Sequence, residues 1–210
     1  MLSIIKQHLS TQRSQQRADK AIKVIESGDL PSLLSLLPKL DTDWLNQPMN
    51  ETPSLLEISI TAQQPKLAEQ LMNAGANPNQ ASRNNEPLLL IALQQPSQRL
   101  ALMSVLLKGG ANANALSIIK ACFDYCQPDE LMLHLNRLEQ YGVDLTAMDH
   151  EGNSALDYAL PTNRKDLMHF LVSSGAPLPS EWPTSVDDEL KAYLTRCADD
   201  RRIRLMMLGG

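Results

Sequence analysis

The chain has 210 residues, 43% hydrophobic and 4% aromatic, with a formal net charge of −5. That is enough apolar side chain for a real core built of Leu, Ile, Ala and Met. No stretch approaches a membrane span of ~18 apolar residues, "MLSIIKQHLSTQR" turns polar too soon for a signal peptide, and three cysteines do not make a disulfide framework.

A soluble protein of the reducing cytoplasm is the expectation. The charge is uneven: residues 1–40 sum to +3, 41–160 to −8 and 161–210 to zero. The acidic middle disfavours a phosphate-backbone ligand and favours a basic partner.

Residues 1–17 are read as an N-terminal helical extension. "AIKVIESGDLPSLLSLLPKLDTDWLN" follows as a pair of helices, with Ala21, Ile22 and Ile25 inward on the first and Leu33, Leu34, Leu36 and Leu37 on the second. Pro31 suits the first turn of that second helix. Next come "SLLEIS" and the apolar run Leu67, Ala68, Leu71 and Met72, which stops abruptly at "NAGANPNQ". A helix end favours a left-handed residue, and Gly75 supplies one without a Cβ clash.

The same stop recurs behind later leucine-rich runs, at Gly110 in "GGANAN", Gly142 in "YGVDLT" and Gly175 in "SGAPLP". The spacings of 35, 32 and 33 residues mark a stacked repeat array. The unit is clearest in "NSALDYALPTNRKDLMHFLVSSGAP": Ala155, Leu156 and Ala159 form one apolar face, and Leu167, Met168, Phe170, Leu171 and Val172 a second. Gly75 to Ala92 and Gly142 to Ala159 are each 17 residues, but Gly110 to Ala121 is 11. The third unit therefore has a short or absent hairpin, through loop drift or as a gap that admits a partner's protrusion. Beyond Gly175, "APLPSEWP" breaks the pattern and a last helix begins in "SVDDELKAYLTRC". Ser185 is its expected cap, Asp188 a near match to a capping box, and Val186, Leu190, Tyr193, Leu194 and Cys197 its inward stripe.

"SALDYA" and "PLLLIA", both in register with a Gly turn, and "SLLEIS" resemble the T-P-L-H-x-A motif of the ankyrin repeat. The resemblance implies an all-α ankyrin-repeat solenoid of about five helix-pair units with helical N- and C-terminal caps. Its array covers 18–178, in units 18–46, 47–79, 80–114, 115–146 and 147–178, followed by a capping region at 179–210. Glu57, Leu90 and Asp157 replace the motif's histidine, so weaker hydrogen bonding between repeats is expected.

Ankyrin-repeat proteins bind other proteins through hairpin tips and the exposed ends of first helices. By register these positions are Asn50, Glu51, Arg83, Asn84, Glu86, His150, Glu151 and Asn153 at hairpins, and Gln94, Gln95, Phe123, Asp124, Pro161 and Thr162 on helices. Phe123 would be an apolar anchor at an exposed position, unless its ring turns inward.

Chemistry is sparse. Cys122, Cys126 and His134 offer metal-ligand types but no second short-spaced pair, so buried core cysteines are the reading. Asp149, His150 and Glu151 fall at a hairpin tip, and the basic "RRIR" at 201–204 is diluted by Asp199 and Asp200. No phosphate-binding loop or nucleophile elbow occurs. The expectation is a non-enzyme without metal or cofactor, monomeric when free, binding neither nucleic acid nor membrane. It would bind a basic protein through a concave face, as an immunity or inhibitor protein for a toxin. An assembly or regulatory adaptor and a self-associating scaffold are the alternatives.

Overall fold

The computed structural model describes residues 16–40, 45–46, 53–113, 115–148 and 151–208. Among them the chain is all-α, with two isolated antiparallel bridges and no strands. Two compact units are present, Met1–Asn112 and Ala113–Gly210. The first holds α1 (16–26), α2 (Leu30–Leu36), α3 (Leu55–Thr61), α4 (Pro65–Asn73), α5 (Leu88–Gln94) and α6 (Arg99–Lys108). The second holds α7 (Ala115–Tyr125), α8 (Leu131–Gln140), α9 (Ala155–Ala159), α10 (Lys165–Ser174) and α11 (Asp188–Leu208).

Each pair buries one stripe per helix. Leu67, Ala68 and Leu71 of α4 and Leu167, Met168 and Leu171 of α10 are essentially inaccessible, at the spacing that puts residues on one helical face. Partners in a pair pack together, α3 with α4, α5 with α6, α7 with α8 and α9 with α10. First helices of successive pairs also meet, α3 with α5 and α7 with α9.

All four recurrent glycines have positive φ, from +78° at Gly142 to +110° at Gly175. Each closes its helix in the same way. The Gly75 N–H donates to the Met72 carbonyl at 2.9 Å, and the Ala76 N–H reaches back to Leu71 at 3.0 Å. Gly110 and Ala111, Gly142 and Val143, and Gly175 and Ala176 repeat that double bond. This satisfies carbonyls that the helix leaves without an internal partner.

These turns are also tied to one another within the first unit. Asn46 Nδ2 donates to the Gly75 carbonyl at 2.8 Å while its Oδ1 accepts from the Asn77 N–H at 2.7 Å. Asn79, 33 positions later, repeats this at the next turn: Nδ2 to the Gly110 carbonyl at 2.9 Å, and Oδ1 from the Asn112 N–H at 2.6 Å. One side-chain amide thus spans two backbone groups of the following repeat.

The hairpins between pairs are marked by the Ala81–Pro87 and Met148–Ser154 bridges. From Gly75 to Leu88 and from Gly142 to Ala155 is 13 residues, but from Gly110 to Ala115 only five, which leaves no room for a hairpin. Six of the lost residues are a deletion, and α7 starts two residues earlier relative to Ala121 than α5 does relative to Ala92.

Several expectations require correction. Glu57 is only 7% exposed, and its Oε2 accepts the Arg83 N–H at 3.0 Å across to the next hairpin, so this replacement of the motif histidine keeps a bond between repeats. Asp157 turns to its own helix start, accepting from the N–H and Oγ of Ser154 at 2.7 and 2.8 Å. Leu34 is 47% exposed, because Leu33 and Leu36 already fill the inward face of that short helix. Ile22, Leu37, Met72, Phe170 and Tyr193 are half-buried margins of their stripes. The cap of α11 is Asp187, whose Oδ1 accepts from Leu190 N–H at 2.7 Å, and not Ser185, which is exposed two residues before it. Of the expected N-terminal extension, residues 1–15 lie outside the described residues.

Replacing Asn79 with Ala removes a donor and an acceptor together. The loss should be on the order of 1–2 kcal/mol in urea denaturation. Asn79→Asp should lose a similar amount despite its shape, since a carboxylate cannot donate to the Gly110 carbonyl. An Asn79→Asp variant as stable as the parent would show that the amide does not bridge.

Candidate functional site

The positions expected to bind a partner divide between the two units. In the first, Arg83 and Asn84 stand exposed at a hairpin tip and Glu86 is half-buried behind them. The tip is held rigidly: Asn85 adopts φ +62°, the Glu86 N–H donates to Ser82 Oγ at 2.9 Å, and Arg83 is pinned through Glu57. Gln94 and Gln95 are half-buried at the end of α5, and Gln95 Nε2 turns back to the Ile91 carbonyl at 2.8 Å. Asn50, Glu51 and His150 lie outside the described residues.

In the second unit, Phe123 is half-buried rather than exposed. Its ring centroid sits 5.9 Å from that of Tyr158 on α9, tilted by 43°, the offset geometry that aromatic quadrupoles favour. Asp124 is exposed beside it. Glu151 is exposed and accepts from Asn153 Nδ2 at 3.2 Å. Pro161 and Thr162 are exposed on the 3₁₀ turn that ends α9, with Thr162 Oγ1 donating to the Ala159 carbonyl at 2.6 Å.

The acidic excess also belongs to this unit. Between residues 113 and 160 the sequence has eight Asp and Glu against Lys120 and Arg137, and Asp124, Asp129, Glu130, Glu139, Asp144 and Glu151 are all exposed. Asp144 is held below the ordinary carboxylate value by the Thr146 hydroxyl at 2.6 Å and then the Thr146 N–H at 2.8 Å. It remains charged well into acid.

Cys122, Cys126 and His134 are buried between α7 and α8. His134 Nδ1 bonds to the Glu130 carbonyl at 2.9 Å. The Cys122 thiol is pushed well above its usual value, first by its hydrogen bond with Cys126 and then by burial, so it stays protonated. Among the described residues, no group of three or more His, Cys, Asp or Glu is placed to hold a metal. No described helix is long and apolar enough to cross a membrane.

This architecture is shared with solved structures. One is the ankyrin repeat domain of Bcl-3, described as a unique member of the IκB protein family, which superposes with a TM-score of 0.64 at 18% identity over 84% of this chain and 85% of that one. The fold is an ankyrin-repeat fold. No protein-family model matches the sequence, and a comparison with curated proteins gives no match.

Within this ankyrin-repeat fold, two contributors escape a sequence reading. Tyr158 lies inside the "SALDYA" motif, where the sequence pattern points only Ala155, Leu156 and Ala159 inward, yet its ring carries one side of the Phe123 contact. Arg201, in the basic cluster "RRIR", donates through Nε to the Ser173 carbonyl at 3.1 Å, closing the end of α10. A cation there also complements the helix dipole.

Because Phe123 is half-buried against Tyr158, Phe123→Ala should lower stability by on the order of 2 kcal/mol, whereas Phe123→Tyr should leave it within about 0.5 kcal/mol. Thermal unfolding of both variants checks this. An unshifted melting temperature for Phe123→Ala would mean that the ring is unpacked.

Proposed function

We propose that this protein is a protein–protein interaction scaffold that binds a basic partner protein through exposed positions of residues 113–160. The observation that carries the reading is Asp124, exposed beside the half-buried Phe123–Tyr158 ring pair and within a segment where acids outnumber bases four to one. An already ordered aromatic contact loses little side-chain entropy when a partner covers it. The surrounding carboxylates accelerate encounter with a cationic surface more than they add affinity, over a screening length of about 8–10 Å in physiological salt.

The role favoured is that of an immunity or inhibitor protein. Toxins that attack nucleic acid carry basic surfaces, and a repeat face of carboxylates and rings can cover one. Acting as an assembly adaptor would use the same contacts without blocking the partner. A self-associating scaffold is separated by sedimentation, since it would need no second protein.

The test is crosslinking and co-purification from the native cell, comparing the parent with a variant carrying Asp124→Lys and Glu151→Lys. Both sites are exposed, so the variant should melt normally. Recovery of the partner should fall by roughly tenfold or more, with the parent's recovery itself falling as salt rises. Undiminished recovery by that variant, with loss on substituting Lys66 or Arg99 in the second helices of the first unit, would overturn the reading.

A further inference from the structure

The contact between α10 and the terminal helix α11 holds a cluster of nucleophilic and basic side chains that partner binding does not use. His169 and Ser173 stand one turn apart on α10, and Tyr193 and Cys197 one turn apart on α11. His169 Nδ1 lies 3.3 Å from Cys197 Sγ and 3.0 Å from Tyr193 Oη, while Nε2 is 3.4 Å from Ser173 Oγ. The order is hydroxyl, imidazole, thiol, in which one ring nitrogen is oriented so that the other faces the sulfur.

We propose that Cys197 is an activated thiol that hydroperoxides oxidise, with His169 as its base and Ser173 positioning the imidazole. Nε2–H donates to Ser173 Oγ, which leaves the lone pair of Nδ1 toward Cys197. The thiol proton passes to Nδ1 and the thiolate attacks the nearer peroxide oxygen. An S–O bond forms, the O–O bond breaks, and the leaving hydroxide takes the proton back from the imidazolium. The thiol and hydrogen peroxide thus become a sulfenic acid and water, with sulfur oxidised and peroxide reduced.

The other thiols lack this arrangement. Cys122 is fully buried, and although Cys126 is 9% exposed, the imidazole beside it is that of His134, itself 1% exposed, from which a proton has no short way to water. His169 is exposed, and Cys197 is 8% exposed at the edge of the stripe that includes Leu190 and Leu194. The Tyr193 phenol is held above its ordinary value by desolvation and then by the Cys197 sulfur, so it stays a neutral neighbour rather than a competing anion. A sulfenic acid on that inward stripe adds a polar oxygen where α11 meets α10, so oxidation should also loosen the terminal helix.

The test uses the intact chain, pulsed with hydrogen peroxide and trapped with dimedone, with each cysteine peptide quantified by mass spectrometry. Cys197 should label on the order of tenfold faster than Cys122 and Cys126. His169→Gln should slow Cys197 labelling by about tenfold or more and leave the other two unchanged. A variant that merely loosened the fold would raise labelling rather than lower it. Tyr193→Phe, which leaves Nδ1 to the thiol alone, should not slow the reaction. Labelling of Cys197 no faster than that of Cys122, or no slowing in His169→Gln, would overturn the proposal.

Discussion

An asparagine amide offers a donor and an acceptor on adjacent atoms, matching the spacing of a backbone carbonyl and the N–H two residues further on. In the first unit Asn46 and Asn79 both make that match, each gripping the glycine turn of the following repeat. Short helix pairs have too little apolar stripe to be stable singly and depend on stacking. Stacking in turn needs each turn at a fixed height above the last. The left-handed glycine creates the turn, and the asparagine from the preceding repeat sets its position.

That arrangement explains why a missing hairpin is tolerated. The amide ladder and the contacts of α5 with α6 and α4 with α6 lie in the helix layers and their turns, away from the hairpin tips. The stretch after Gly110 can therefore lose its hairpin while Gly110 and Asn112 are still held by Asn79. At the other end of the chain the chemistry changes in step. Thr146 occupies the register of Asn79 and has no amide, and Pro177 occupies that of Asn112 and has no N–H to give. The carbonyls at the end of α10 are instead reached by Arg201, whose guanidinium would collide with any Cβ at Gly175, at 2.6 Å. The final turn is thus closed from α11, where a cation suits a helix C-terminus.

The glycine turns were legible in the sequence because a helix end that needs positive φ admits few residues, and the 32–35 residue spacing repeated that signal. Missing residues before α7 were legible as a change of register. The ladder was not, although Asn77 and Asn79 stand in the most conspicuous stretch of the chain: asparagine is common in any loop, and only the 33-residue separation of Asn46 and Asn79 hinted at a bridging role. Leu34 misled because four leucines in five positions overfill the face of a two-turn helix. Phe123 was placed by register alone, and register does not report a ring 35 positions away at Tyr158. The imidazole–thiol pair of His169 and Cys197 was invisible for the same reason, since 28 residues and a proline-rich connection separate them.

Residue-resolved amide hydrogen exchange at Asn77 and Asn112 tests most directly whether the amide ladder holds the repeats. Both N–H groups lie in surface turns and have the side-chain oxygens of Asn46 and Asn79 as their acceptors. If the ladder is formed as described, these two protons exchange roughly a hundredfold or more slowly than an unstructured reference, approaching neighbouring helical amides. Exchange at the free-peptide rate at both positions would contradict the account, because the repeats would then be stacked without the bond that is held to set their height.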